Sequence, residues 1–389
     1  MPTALPRRQF LGLVPGLMGA SVLSANTKVE AKPPSTEARG VWIHPQRLCD
    51  ADPAKGKEQV RAAVQRLAEA HFNLILPIVS TGYLVALDNP AYLESHPLAR
   101  WDAIGFLIDE ATRAGLATHM WYAFSEVRSL DSPDFDPRVG GDPGWAARHI
   151  YELIPDPRTG KLAPRRRGTE VCPLHPQARS WQLALLGKIF QRYPALKGIH
   201  LEEPGYAGGE CVCDLCLKVF PEVYGKPLPE SIRSFEADVF RTVGTTAFVS
   251  ELYQLLRKSY PEFVFSANGD YDWPSDWKKG RDWASWAGLG WLDYYTPQVY
   301  LSDTVKFRRG LGSAMKVLGQ RCATYIGIGV RWDGGSNSPD EIIRQIEASR
   351  EMGAEGTILF SASSVSDELL RSLVGGPFRS PASLPGRAA

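Results

Sequence analysis

Gly198-Ile-His-Leu-Glu-Glu-Pro-Gly-Tyr206, followed closely by Cys211-Val-Cys213-Asp-Leu-Cys216, decides how this chain is read. A short apolar run ends in two adjacent carboxylates, and Pro204 and Gly205 then stop the strand. On a regular strand the side chains of Glu202 and Glu203 point to opposite faces, so one serves the functional rim and the other is tied to a neighbour. The strand break after them leaves room for the backbone to turn and bring both to the same site.

Working outward, the same alternation of apolar strand and amphipathic helix repeats along the chain. Strands are expected at 39–44, 72–78, 116–124, around 198–202, 263–267, 292–300, 323–330 and 356–360. Helices fit between them. In the helix over 57–70, Val60, Val64 and Leu67 share one face, which is helical spacing. A helix over 101–114 stops at Gly115, and Ser338-Pro339 opens another as cap and first turn,. Eight strand–helix units in a row predict an α/β fold, a (β/α)8 barrel with a parallel sheet covered by helices. The alternative is a doubly wound open sheet, but no Gly-rich phosphate turn follows the first strand,. The barrel is placed at 36–376, with a long irregular connection over 126–172 after the third strand and a Cys-rich loop after the fourth. The Pro/Gly/Ser-rich residues 377–389 are expected to form a flexible tail.

The 389 residues are enough for a substantial core, and a net charge of +1 gives no argument for nucleic acid or an anionic membrane surface,. Residues 1–31 read as an export signal and linker: Arg7-Arg8-Gln-Phe10-Leu11 precedes an apolar run from Leu13 to Leu23. That pattern resembles a twin-arginine signal, and the run is too short for a permanent membrane span. A periplasmic or secreted protein is expected. In that setting cysteines usually pair, but Cys211-x-Cys213-x-x-Cys216 is too cramped for independent bridges and matches metal-ligand spacing, with Cys172 as fourth ligand,. A structural zinc is the expected cofactor.

In such a barrel, function sits at the C-terminal ends of the strands. Those ends carry Trp42 and His44, Tyr83, His119, Trp121 and Tyr122, Glu202 and Glu203, Asn268 and Asp270, Gln298, Tyr300 and Asp303, and Trp332. Aromatic faces, amides and acids suit a neutral, hydroxyl-rich ligand. Eleven Trp and fourteen Tyr point the same way. Glycoside hydrolysis typically needs two carboxyl groups, and two close carboxylates raise one another's proton affinity, which lets one act as a general acid. Glu202, Glu203, Asp270 and Asp303 are the candidates, with Glu126 a weaker one. His44, His119 and His200 could instead be hydrogen-bonded barrel histidines or, in a third reading, hold a catalytic metal.

Taken together, Glu37-Ala-Arg-Gly-Val-Trp-Ile43, His119-Met-Trp-Tyr122, Gly198-Ile-His-Leu-Glu-Glu203, Asp293-Tyr-Tyr-Thr-Pro-Gln-Val-Tyr300, Ile326-Gly-Ile-Gly329 and Gly356-Thr-Ile-Leu-Phe-Ser361 resemble the glycosyl-hydrolase-like family 10 proteins. The resemblance implies a (β/α)8 fold and action on a cell-wall or extracellular glycan. It departs from the family in having Glu202-Glu203-Pro204 where an Asp-Asp-Tyr signature is usual. The segment from Cys172 to Tyr224 is similar to the four-cysteine zinc segment of family 42 β-galactosidases, whose fourth strand ends in an Asn-Glu pair. That similarity implies Glu203 as acid/base, with Glu202 in place of the Asn. The seventh-strand Glu expected of a retaining enzyme is missing, because Thr324-Tyr-Ile-Gly-Ile-Gly-Val-Arg331 holds no acid. The expectation is therefore a glycoside hydrolase-like enzyme with an oligo- or polysaccharide substrate; the alternative is a non-catalytic glycan-binding barrel.

Overall fold

The computed structural model describes residues 34–90, 93–94, 96–123, 145, 147, 171–206 and 211–386. The expected export signal, Glu126 and most of the connection after the third strand lie outside the described residues. Residues 33–389 form one unit of the chain and residues 1–32 another.

Eight parallel strands close a barrel in the order β1-β10-β7-β6-β5-β4-β3-β2. They are β1 (Ala38–Ile43), β2 (Leu74–Val79), β3 (Ala117–Ala123), β4 (Gly198–Glu202), β5 (Val264–Asp270), β6 (Tyr294–Gln298), β7 (Ala323–Gly329) and β10 (Gly356–Phe360). Each is followed by at least one helix, as expected of a (β/α)8 barrel. A two-residue-looped hairpin, β8 (Arg331–Trp332) with β9 (Gly335–Ser336), was not foreseen. Its turn is Asp333-Gly334, residue types that are common in tight turns.

Strand period sorts the side chains into two layers. Inside the barrel lie Trp42, Leu74, Leu76, Trp121, Tyr294, Tyr325 and Ile358. Outside, under the helices, lie Tyr122, Ile199, Leu201 and Phe265 on one flank and Val41, Ile75, Ile326 and Leu359 on the other. The expected cap at Ser338 holds: its hydroxyl accepts the Glu341 N–H at 3.3 Å. Gly115, at φ 77°, follows the helix Ala103–Arg113 in the left-handed conformation that glycine adopts without strain,.

The C-terminal segment corrects one expectation, because it docks against the bottom of the barrel. Phe378 is fully buried, and the Ser383 N–H donates to Ser35 O at 2.9 Å. Apolar burial and backbone pairing outweigh the disorder its composition suggests. The anchor is Glu37, 3% exposed, which accepts from Arg39 Nε at 2.8 Å and from Arg350 Nε at 2.6 Å. Arg39 lies over the Phe378 ring, 4.5 Å from its centroid. Removing one member of a buried charge cluster leaves its partners unpaired. Glu37→Ala is expected to lower unfolding free energy by about 3–5 kcal/mol in urea titrations; a change under about 1 kcal/mol would show that the cluster is dispensable.

Candidate active site

The mouth of the barrel is built where β4, β5 and β6 end. Glu202 is the last residue of β4 and continues the inward face set by Gly198 and His200. Its Oε2 accepts from Trp121 Nε1 on β3 and, at 2.6 Å, from Asn268 Nδ2 on β5. Asn268 cannot turn its amide the other way, because its Oδ1 accepts the Glu203 backbone N–H at 2.8 Å. A fixed N–H donor orients the amide, and the amide in turn orients Glu202. Burial, then the neighbouring Glu203 charge, raises the Glu202 pKa to about 7, outweighing the two hydrogen bonds and Arg281, which pull it down. A carboxyl poised there exchanges protons near neutrality.

Glu203 leaves the strand with φ 37°, a left-handed backbone costly for a residue with a Cβ. The turn removes it from the outer face that alternation would give it. Its carboxylate instead meets Arg281 Nη2 at 2.7 Å, while Arg281 Nη1 meets Asp276 Oδ1 at 3.0 Å. Asp276 is fully buried, and burial raises its pKa to about 6 against the pull of Arg281. Its other oxygen accepts the Asp270 backbone N–H at 2.7 Å. Asp276 and Arg281 were not foreseen. Each lies beyond the strand ends in sequence, and only the fold brings them under Glu203. Gly205 is required by the same packing, since a Cβ there would stand 2.6 Å from both Arg281 Cγ and the Lys279 carbonyl.

The remaining expected residues divide sharply. Trp42, Trp121, His44, Phe360 and Tyr300 form one aromatic wall: His44 meets Trp121 edge-on at 5.1 Å, and Tyr300 stacks on Phe360 at 5.4 Å. Trp332, on the hairpin, lies 6.1 Å from Tyr300. Trp42 Nε1, His44 Nδ1 and the Tyr300 hydroxyl are buried without hydrogen-bond partners among the described residues. Burial, then the charges of Glu202 and Glu203, holds the Tyr300 pKa well above its ordinary value. Burial and then Arg47 lower that of His44. Gln298 ends β6 in register with Asp270 and Gly327.

Other residues sit elsewhere. Tyr122 faces the helix layer, 3.2 Å from Gln182 Oε1, because it is one residue out of phase with Trp121. Tyr83 donates to Asp102 Oδ1 at 3.1 Å beside the helix Ala103–Arg113. Asp303 is exposed and accepts the Lys306 N–H at 2.8 Å as the cap of helix Thr304–Leu318. His119 and His200 lie in the barrel interior, 2.9 Å from the Tyr294 hydroxyl and 2.9 Å from Ser266 Oγ respectively. Burial lowers the His119 pKa to about 3. The histidines form no metal-binding group among the described residues, which corrects the reading of a catalytic metal site. Asp270 ends β5, its carboxylate accepting the Asp272 N–H at 3.0 Å.

Beside the mouth, the Sγ atoms of Cys172, Cys211, Cys213 and Cys216 lie within 4.8 Å of one another, all four residues buried. Cys216 Sγ stands 3.6 Å from both Cys172 and Cys213 Sγ. Metal–sulfur bonds of about 2.3 Å in a tetrahedron place sulfurs roughly 3.8 Å apart, so this donor set fits a metal ion. The cluster anchors a small core with Phe220, Phe240 and Tyr206. Tyr206 also joins it to the acid site, because its hydroxyl is 3.7 Å from Cys172 Sγ and its N–H donates to Lys279 O at 2.8 Å.

Comparison with known proteins agrees with this geometry. The PgaB (BpsB) glycoside hydrolase domain from Bordetella bronchiseptica superposes with a TM-score of 0.58 at 14% identity, covering 87% of this chain and 98% of that one. The catalytic domain of a β-amylase from Paenibacillus polymyxa gives 0.50 at 11% identity, covering 86% and 94%. The spore cortex-lytic enzyme SleL from Bacillus megaterium gives 0.50 at 9% identity, covering 92% and 77%. At such identities the likeness establishes the barrel alone. No curated protein matches the sequence. A profile described as Glycosyl hydrolase-like 10 matches residues 37–328. By that match over most of its length, the chain belongs to the glycosyl hydrolase-like 10 family.

Proposed function

We propose that this protein hydrolyses glycosidic bonds of a polysaccharide or cell-wall glycan, with Glu202 as proton donor. The observation that carries the reading is the Glu202 carboxyl itself. It faces the mouth, is gripped by Trp121 and Asn268, and has a pKa raised to about 7 by burial and by Glu203. The similarity to family 42 implied Glu203 for this role; the ion pair with Arg281 suits Glu203 better to supplying negative charge beside a developing oxocarbenium ion,. Asp270, at the neighbouring strand end, is the acid left to activate water. Tyr300 and Trp332, half-buried at the rim against the packed Trp42 and Trp121, offer faces for sugar rings, and the unpartnered His44 Nδ1 and Tyr300 hydroxyl offer hydrogen bonds to hydroxyls. Gln298, from the same rim, adds an amide.

The pH dependence tests this directly. The proton donor must be protonated in the free enzyme, so kcat/KM should fall as pH rises through about 7,. Glu203→Gln removes the nearby negative charge and leaves Arg281 paired with Asp276 alone. Both changes favour ionised Glu202, so the limb should move to lower pH. A limb unmoved by that substitution would assign it to another group.

A second reading, a glycan-binding barrel without turnover, is favoured by one observation: β7 and the residues to Arg331 carry no acid. Reducing-end release from soluble glycans, present or absent in wild type, separates the two. We further propose that the four cysteines hold a structural zinc, which when bound would cross-link the excursion after β4. Export through the paired arginines at Arg7-Arg8 to the periplasm or outside would let that metal be loaded before transport. No helix among the described residues is long and apolar enough to cross a membrane.

A further inference from the structure

We infer a second carbohydrate-binding element: an aromatic platform of Phe235, Trp277 and Trp273 on the rim of the barrel, which grips a glycan chain running off the acid site. Trp273 and Trp277 are four residues apart on the helix Trp273–Lys278, which follows β5 directly, so their side chains share a face. Phe235 is the first residue of the helix Phe235–Ser259, held by the Ser234 cap. In a parallel barrel, helices start on the side where strands end, so all three rings stand on the same side as Glu202.

The rings form a row. Phe235 lies 5.6 Å from Trp277 with the planes 34° apart, and Trp277 lies 6.4 Å from Trp273 at 47°. Phe235 exposes 69% of its surface, which core packing does not explain, since an apolar ring left in water is unfavourable. The row is also rigid. Trp273 Nε1 donates to Asp282 Oδ1 at 3.2 Å, and Arg241 Nε donates to the Lys278 carbonyl at 2.8 Å, clamping the end of the helix. A rigid platform loses little freedom on binding.

The occupant follows from continuity. The helix that carries the two half-buried tryptophans, Trp273 packed on the core beneath, turns Asp276 inward, onto Arg281 and through it onto Glu203. A ligand seated at the acid site and extended along this helix meets three successive ring faces with the exposed polar residues Asp272 and Lys278 at their edge. Planar faces bordered by hydrogen-bonding groups suit the apolar faces and equatorial hydroxyls of a polysaccharide. This inference rests on the glycan-directed reading of the mouth.

The test uses the full chain carrying Glu202→Gln, which leaves polymer uncut, in native gels cast with glycol chitin, hydroxyethylcellulose or xylan. The parent should be retarded by at least one polymer. Phe235→Ala should weaken that association about three- to tenfold, Trp277→Ala should do the same or more, and Phe235→Tyr, which keeps the ring, should retain it. An unchanged thermal midpoint for Phe235→Ala establishes that the fold is intact. Undiminished retardation of the alanine variants overturns the platform, as does an unretarded parent in all three polymers. If wild type still releases reducing ends from a polymer that does not retard the parent, hydrolysis stands and the platform falls. Ring-dependent retardation without cleavage by wild type keeps the platform and discards hydrolysis.

Discussion

Glu202→Gln is expected to lower kcat/KM on unactivated glycans by about 10²–10⁴-fold, the contribution of a positioned general acid. Glutamine is nearly isosteric and can still present its oxygen to Trp121 Nε1 and Asn268 Nδ2. The site therefore keeps its shape and loses only the transferable proton. Aryl glycosides with good leaving groups, which need no protonation, should lose far less. That contrast separates lost proton donation from lost folding or binding. Retained activity on an unactivated glycan would remove Glu202 from the mechanism. A larger loss from Glu203→Gln than from Glu202→Gln, on aryl and natural substrates alike, would restore the role implied by the similarity to family 42.

Metal removal should be the next largest effect. Purified protein is expected to carry zinc, lost on treatment with a strong chelator or in Cys213→Ser, with stability falling on the order of 5 kcal/mol. Isolated zinc-finger peptides gain roughly 10–16 kcal/mol from their metal, but here the barrel core folds beside the site and shares the task. Activity should fall together with stability, because Tyr206 and Gly205 connect the cluster to Lys279 and Arg281. With the loop released, Arg281 loses its seat and Glu203 its partner. Protein that contains no metal and whose thiols are oxidised in pairs would defeat the zinc assignment.

Much of the architecture could be read in advance for a simple reason. Barrel strands buried on both faces are continuous apolar runs, and the helices between them need one apolar stripe each, so both leave marks in local sequence. The four cysteines were equally legible, since ligand spacing of three thiols within one loop has few other uses. The choice between neighbours was not. Trp121 and Tyr122 are adjacent, and strand phase alone sends the first into the barrel and the second under a helix. Tyr83 and Asp303 sit at plausible strand ends but spend their polar groups on local structure, one on Asp102 and the other on a helix start. The composition of the C-terminal segment suggested fraying, yet Phe378 found a buried slot more than 300 residues away in sequence, beside Arg39.

The opening stretch shows where the division lies. By itself the sequence determined that two glutamates end the fourth strand of a (β/α)8 barrel, beside a thiol cluster, because periodicity and strand breakers are local properties. Which glutamate is buried with a raised pKa was decided only by tertiary structure. A carboxyl's proton affinity depends on burial and on the groups packed around it, here the barrel packing that buries Glu202 and raises its pKa against the hydrogen bonds of Asn268 from β5 and Trp121 from β3 and the charge of Arg281 from beyond a helix. Those partners lie about 66 to 81 residues from the pair along the chain, and no local pattern encodes their approach.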